Sequence, residues 1–346
     1  MEYNNTLTAL NGVRVGHSTH TDKLTGCTVV LFDTPYSVAY TSYGGGPATY
    51  NTDTLKSGKT DYTSNGLFIT GGSSTGLMTG ASLTECLRND GVGIASGVGK
   101  QIFNPSISGA VVYDLGMQVA PFDLAYGAEA YNNATNATVK AGNVGAGTGT
   151  SVGKFRWLEN GTKTGGMKTG VGNARIDVGN GIIVCALSVV NAIGNVVLPD
   201  GTILAGNRDE QKRFKLYNDV ADFITADTSN TTISIVGINV DMHAKEHLEK
   251  IAHHGAQGQI RAIEPVNLSS DGDTVFVFST AELVNPFNSR IDYFSEIPNN
   301  INVQVDIIGD AAAKAVRESI YDACRQAQTI QYAPAYNGII PCAADY

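Results

Sequence analysis

The residues best placed for chemistry are Asn230 and Thr231, where the polar stretch Asp227-Thr228-Ser229-Asn230 meets the β-branched run Thr231-Thr232-Ile233-Ser234-Ile235-Val236. A threonine hydroxyl is a weak nucleophile at neutral pH and needs a base. A free α-amine on the same residue supplies one, since its unperturbed pKa is about 7.7–8.0. Such an amine exists in mid-chain only if the Asn230–Thr231 peptide bond is broken. Thr231 would then be both nucleophile and new N-terminus. The plainer reading is a loop entering a strand, with Thr chosen for β propensity.

Other segments carry polar groups that could serve such a nucleophile. The run Gly145-Ala146-Gly147-Thr148-Gly149-Thr150-Ser151-Val152-Gly153-Lys154 invites a phosphate-binding reading. A Walker A loop needs glycine at 148 and Ser or Thr at 155, where the chain has Thr148 and Phe155. A dinucleotide fingerprint from Gly145 needs glycine or alanine at 150, where Thr150 stands. What remains is either a tight turn or a loop presenting Lys154 to a substrate. Asn191 follows the apolar run Ile182–Val190 and precedes a glycine turn. It makes that turn, or its amide faces a reacting carbonyl as an oxyanion donor, worth about 2.7–4 kcal/mol in the transition state. Asp271-Gly272-Asp273-Thr274 reads first as a turn before a strand. Its carboxylates could also orient the amine and hydroxyl of Thr231, while the other ligands of a calcium loop are missing. The histidines show no HExxH spacing, and none is assigned to catalysis.

These residues need a framework that delivers several strand ends to one place. Short strands are expected near 12–17, 27–32, 37–42, 67–70, 110–114, 182–190, 231–240 and 274–279, with a hairpin over 195–204 around Asp200-Gly201. Helices are expected from about Leu77 to Leu87 capped by Ser73 or Ser74, and over 122–132, 244–262 and 309–327. The charged stretch 207–230 reads as a linker where a chain break is tolerated, and the tail 329–346 reads as irregular. Mixed runs of strands and helices imply helices layered on sheets.

Forty glycines and 16% charged residues in 346 describe a turn-rich globular protein. A formal charge of −9 argues against nucleic acid or an anionic membrane as partner. There is no apolar run of spanning length and no signal-peptide pattern at Met1-Glu2-Tyr3-Asn4-Asn5. The scattered Cys27, Cys86, Cys185, Cys324 and Cys342 contain no CxxC, which suits reduced, mostly buried thiols in a cytoplasmic protein.

In order along the chain, Gly12-Val13-Arg14-Val15-Gly16-His17, Thr25-Gly26-Cys27-Thr28-Val29-Val30, Gly44-Gly45-Gly46-Pro47-Ala48-Thr49 and Thr70-Gly71-Gly72-Ser73 are followed by Gly142-Asn143-Val144-Gly145-Ala146-Gly147-Thr148-Gly149, Val152-Gly153-Lys154 and Val190-Asn191-Ala192. Asn230-Thr231-Thr232-Ile233 and Asp271-Gly272-Asp273-Thr274 complete the set. This ordered series resembles the self-processing L-aminopeptidase/D-amidase/D-esterases and β-peptidyl aminopeptidases, of which nylon-oligomer (6-aminohexanoate oligomer) endohydrolases are a branch. The resemblance implies an α/β fold, a four-layer α/β/β/α sandwich like that of N-terminal-nucleophile hydrolases with different connectivity. It also implies one catalytic domain, 1–346, cut once into a large chain 1–230 and a small chain 231–346, and homo-oligomers, commonly tetramers of processed pairs. By position, Thr231 is the nucleophile, Asn191 the oxyanion donor, Lys154 and Tyr113 line the site, and Asp271 and Asp273 hydrogen-bond around the nucleophile. No metal or organic cofactor is implied, and the substrate is a peptide or amide oligomer. The aminopeptidases often carry Ser as nucleophile and Ser-x-Glu at 271/273. Thr with Asp-x-Asp looks more like the nylon-oligomer branch. The rival classes are a non-enzymatic, glycine-rich ligand-binding protein and a strictly exo-acting aminopeptidase.

Overall fold

The structure, a computed structural model, describes residues 3–118, 120–155, 166–209, 211–217, 230–242, 244–284, 286–288, 300–333 and 338–346. The first half of the chain gives β1 (Val13–His20), β2 (Thr25–Ser42), β3 (Thr49–Tyr50), β4 (Thr63–Thr70), α1 (Thr79–Asn89), β5 (Ile94–Ser96), β6 (Ile102–Asn104), β7 (Ile107–Val111) and α2 (Ala125–Asn132). Next come β8 (Ser151–Val152), β9 (Met167–Lys168), β10 (Val171–Gly179), β11 (Ile182–Asn191), β12 (Asn195–Val197) and β13 (Ile203–Ala205). The last third gives β14 (Thr231–Val240), α3 (Lys245–Ala262), β15 (Ile263–Glu264), β16 (Thr274–Leu283), α4 (Ile301–Arg325), β17 (Ile330–Ala333) and β18 (Gly338–Ile340).

Strand β14 is buried on both faces along its whole length, as a strand must be when layers cover it on each side. Its side chains alternate. Ile233 and Ile235 join one apolar cluster with Cys185, Leu187 and Val189 of β11 and Phe276 and Phe278 of β16. Val236, Ile238 and Val240 join another with Leu248, Ile251 and Ala252 of α3 and Ile308, Ala312 and Val316 of α4. Val13, Val30, Leu67 and Ile69 of β1, β2 and β4 lie in the same cluster as Ile233, and the opposite face of those strands packs Val29 and Phe68 on Leu83 of α1 and Tyr126 of α2. The layers are therefore α3/α4, a first sheet, a second sheet and α1/α2: the α/β/β/α sandwich expected from the sequence.

One strand connects the two sheets. Residues 37–42 of β2 pair with β16, whereas residues 25–32 pair with β1 and, through Cys27–Leu31, with β4. The hydrogen-bonded order β10-β11-β14-β16-β2-β4-β7-β3, with β1 added on β2, is thus continuous through both layers. Within it β14 and β16 are parallel neighbours, and β11 lies antiparallel to β14 with Asn191 opposite Thr231. The β14 and β16 starts and the β11 end consequently meet at one edge of the space between the sheets.

Several expectations need correction. The strands near 27–32 and 37–42 are one strand, because the exposed stretch 33–35 bends without leaving extended geometry. The strand near 110–114 ends at Val111, so Tyr113 lies beyond it. No serine caps α1: residues Ser73–Met78 form a 3-10 turn that runs into it. Helix α2 begins at Ala125, after the expected 122. Helix α4 begins at Ile301, ahead of the expected 309, capped by the Asn300 side chain accepting from the Asn302 N–H. The tail is not irregular, since β17 pairs with β18. Residues 218–229 of the expected linker lie outside the described residues. The five cysteines are unpaired, and all but Cys86 are buried. Among the described residues no helix is long and apolar enough to cross a membrane.

Candidate active site

The register that sets Asn191 beside Thr231 also sets their side chains on one face. Both have the parity of the residues that fill the space between the sheets, Leu187 and Val189 on one strand and Ile233 and Ile235 on the other. Thr231 is 6% exposed and Asn230 1%. The Thr231 Oγ1 donates to the Asn230 carbonyl oxygen at 2.5 Å. The hydroxyl therefore sits against the peptide whose carbon it would attack in a self-cleavage.

Asp271 and Asp273 flank this junction. An Asp273 Oδ1 accepts the Thr232 N–H at 2.6 Å and its Oδ2 the Asn267 N–H at 2.9 Å. Asp271 Oδ2 accepts the Leu268 N–H at 2.8 Å. Both carboxylates are buried, and burial raises both pKa values; the Asp271 charge adds to the rise at Asp273, while Lys154 opposes it at both. Three of the four oxygens accept backbone N–H groups, so the pair organises backbone, and Asp271 Oδ1 is left without a partner among the described residues. The glycines at the end of β2 make this possible. Tyr43, Gly46 and Gly45 donate their N–H groups to the carbonyls of Asp273, Asp271 and Leu268, and a Cβ on Gly44 would lie 2.2 Å from the Asp271 carbonyl oxygen.

Lys154 reaches the site from the other side. Its N–H and that of Gly153 donate to the carbonyls of Ile193 and Gly194, just after β11. Its Nζ then donates to the Asn191 carbonyl and Oδ1, both at 2.9 Å. Asn191 Oδ1 also accepts the Ser151 N–H at 3.1 Å, and its Nδ2 donates to the Tyr113 carbonyl at 2.7 Å. Tyr113 thus joins the cluster through its backbone. Thr231, Asn230, Asn191, Lys154, Asp271, Asp273 and Tyr113 are in one linked group.

The glycine-rich loop is a structural turn. Its amides are already taken: Gly145 N–H donates to Thr19 Oγ1, Ala146 N–H to Thr28 Oγ1, and Gly147 N–H to the Val144 carbonyl. A phosphate cradle needs such groups free.

The sequence reading missed two buried ionisable groups under this loop. Lys168 Nζ donates to the Gly147 carbonyl at 2.7 Å and to the Thr169 carbonyl, and burial lowers its pKa to about 7. Asp114 accepts from Thr25 Oγ1, the Gly72 N–H and Gln118 Nε2, and burial raises its pKa to about 6. The one available signal was composition: a lone Lys inside Gly-Gly-Met-Lys-Thr-Gly, ahead of an apolar strand. The tail completes the brace. The Pro341 carbonyl accepts the Lys168 N–H at 2.8 Å, Ala333 and Ile340 pack on Leu24 and Met117, and Arg208 contacts the Tyr346 hydroxyl.

Residues 5–335 match the family described as Peptidase family S58. An uncharacterized aminopeptidase of Mycobacterium tuberculosis is 29% identical over 361 residues, covering 97% of this chain and 98% of that protein. A 6-aminohexanoate-oligomer endohydrolase of Paenarthrobacter ureafaciens is 27% identical over 326 residues, covering 90% of this chain and 84% of that protein. Two solved structures share the fold. A Burkholderia sp. β-aminopeptidase superposes with a TM-score of 0.68 at 17% identity, covering 98% of this chain and 90% of its own. The L-aminopeptidase D-Ala-esterase/amidase of Ochrobactrum anthropi, described as a variant of the Ntn hydrolase fold, gives 0.65 at 18% identity, with 97% and 90% covered.

Proposed function

The chain belongs to peptidase family S58, a family of amide-bond hydrolases, and on that premise we propose that it is a self-processing N-terminal-threonine hydrolase cut between Asn230 and Thr231. The observation that carries this reading is the Thr231 hydroxyl 2.5 Å from the Asn230 carbonyl oxygen, inside a cluster holding two carboxylates, a lysine and an amide. The Thr231 Oγ attacks the Asn230 carbon, and the C–N bond breaks as the hydroxyl proton passes to the leaving nitrogen. Water then hydrolyses the ester, giving an Asn230 carboxylate, a free Thr231 hydroxyl and a free amine.

In the mature enzyme that amine is the base for the Thr231 hydroxyl. Asp271 Oδ1, buried and without a hydrogen-bond partner among the described residues, is the acceptor available to orient it. Attack on a substrate amide gives an oxyanion that the second Nδ2 hydrogen of Asn191 can meet. The protonated amine passes its proton to the leaving amine, and water resolves the acyl-enzyme. Lys154, held on Asn191, contributes positive charge beside the developing oxyanion. The chain works as one catalytic domain of processed pairs that assemble as homo-oligomers, commonly tetramers.

The substrate class is short peptides, amino-acid amides and ω-amino acid oligomers. The 6-aminohexanoate-oligomer relatives and the resemblance of Thr231 with Asp271-x-Asp273 to that branch support including the last. Thr231→Ala is expected to leave one uncut, inactive chain, and a cut Thr231→Ala protein would end this reading. Matched amide oligomers with free and with acetylated amines separate the modes of action. An endo-acting enzyme hydrolyses both, and a strict exopeptidase only the free one.

A further inference from the structure

The Gly272 N–H donates to the Asn230 carbonyl oxygen at 2.9 Å. Asn230 stands opposite Asp271 in an isolated parallel bridge, in the same register as the continuous β14–β16 ladder that begins with Ile233 opposite Thr274. In most strands such a bond only closes the ladder. Here the carbonyl belongs to the peptide against which the Thr231 hydroxyl is set. The Asn191 amide is committed differently in this state, with Nδ2 on the Tyr113 carbonyl and Oδ1 on Lys154 Nζ and the Ser151 N–H.

We propose that the backbone N–H of Gly272 is the oxyanion donor of the self-cleavage, and that it afterwards receives the substrate's acyl carbonyl, which takes the place of Asn230 on Thr231. This rests on the reading of Thr231 as a self-freed nucleophile. As the Thr231 Oγ–C bond forms, the carbonyl π pair moves onto the Asn230 oxygen, where a donor at hydrogen-bonding distance is already aimed. When the C–N bond breaks and water releases Asn230, the same N–H is left without its ladder partner. A substrate whose acyl part is extended can then enter in strand register, its carbonyl in the vacated slot.

The requirement for glycine follows from the same geometry. A Cβ on residue 272 would lie 2.9 Å from Thr231 Oγ1 and 3.2 Å from its Cγ2. Any side chain there displaces the nucleophile, so position 272 supplies backbone alone.

The test replaces Gly272 by glycolic acid through suppressor-tRNA translation, which exchanges the N–H for an ester oxygen, keeps every side chain, and weakens the Asp271 carbonyl as an acceptor for the Gly46 N–H. The same exchange at Phe276, using phenyllactic acid, removes an N–H in the interior of the ladder. The Gly272 ester is expected to slow conversion to two chains by roughly 100- to 1,000-fold, and the Phe276 ester by no more than a few-fold. Equal rates for the two esters overturn the inference. A native chain that stays whole instead overturns the self-cleavage reading itself.

A second measurement needs no altered backbone. Labelling with carbonyl-¹³C Asp and ¹⁵N Gly selects Gly272 together with the Asp–Gly pairs at Gly91 and Gly201. An aminoalkylboronic acid forms a Thr231 adduct with a negatively charged oxygen. The Gly272 signal should move downfield while Gly91 and Gly201 stay in place, and an unmoved Gly272 signal in the inhibited enzyme overturns the second role.

Discussion

Replacing Lys168 by Met tests the brace under the active-site loop, and its effect depends on pH in a way that can be worked out. The ammonium is fully buried, and burial lowers its pKa from the ordinary 10.5 to about 7. Between those values the unfolded chain binds a proton that the folded chain does not, so stability rises with pH. From pH 7 to pH 9 the gain is about 2 kcal/mol, since one pKa unit is about 1.36 kcal/mol and the slope is halved near pH 7. Met cannot titrate and cannot donate. In the variant the Thr169 carbonyl loses the Lys168 donor, at roughly 1–3 kcal/mol, while the Gly147 carbonyl keeps Thr150 Oγ1 at 3.0 Å. The parent's advantage over Lys168→Met should therefore shrink by about 2 kcal/mol from pH 9 to pH 7. The assay is urea unfolding of both proteins in a Thr231→Ala background, followed by circular dichroism at each pH. Parallel stability curves, or a gap that widens toward pH 7, would refute the assignment of Lys168 as a buried amine that loses its proton.

Asp114→Asn is expected to show the opposite slope. With its folded pKa raised to about 6, the carboxyl binds its proton more tightly folded than unfolded, so the parent loses about 2 kcal/mol relative to the variant as pH rises from about 4 to 6, by the same linkage. Thermal melts across that window check it. Asp273→Asn can accept only one of the two N–H groups from Thr232 and Asn267; cleavage at Asn230–Thr231, followed on gels, should slow by at least tenfold, about 1.4 kcal/mol. Removing residues 338–346 takes the Pro341 carbonyl from Lys168 and uncovers Leu24 and Met117. That variant should fold with a lower melting temperature and process more slowly, and unchanged processing would show that the tail braces nothing.

Residue type and spacing singled out the candidate site residues, and the resemblance supplied their proposed roles. Thr231 is marked by a polar stretch meeting a β-branched run, Asn191 by an apolar strand ending at a glycine turn, and Asp271 and Asp273 by their bracket around a glycine. Helices layered on sheets were legible in the mixed runs of strands and helices, whereas the four-layer order came from the resemblance. What stayed hidden depends on tertiary burial. Apart from its Gly-Gly-Met-Lys-Thr-Gly setting, nothing local distinguishes Lys168 from a solvated lysine; it becomes buried because the tail's Pro341 and the turn at Gly147 close over it. The bend at 33–35 reads as a break, although β2 continues through it into the other sheet. The start of α4 is masked by Asn and Gln, although Val305 and Ile308 already face the core. The tail's hairpin has little local signal because its partners, Leu24 and Met117, lie three hundred residues earlier or in the loop beyond β7, so only long-range packing defines it.

The central claim is that Thr231 frees its own amine. Intact mass and N-terminal sequencing of freshly purified native protein test it most directly. Two chains are expected, the smaller beginning Thr-Thr-Ile-Ser. A single stable chain, or a cut at any other bond, would contradict it.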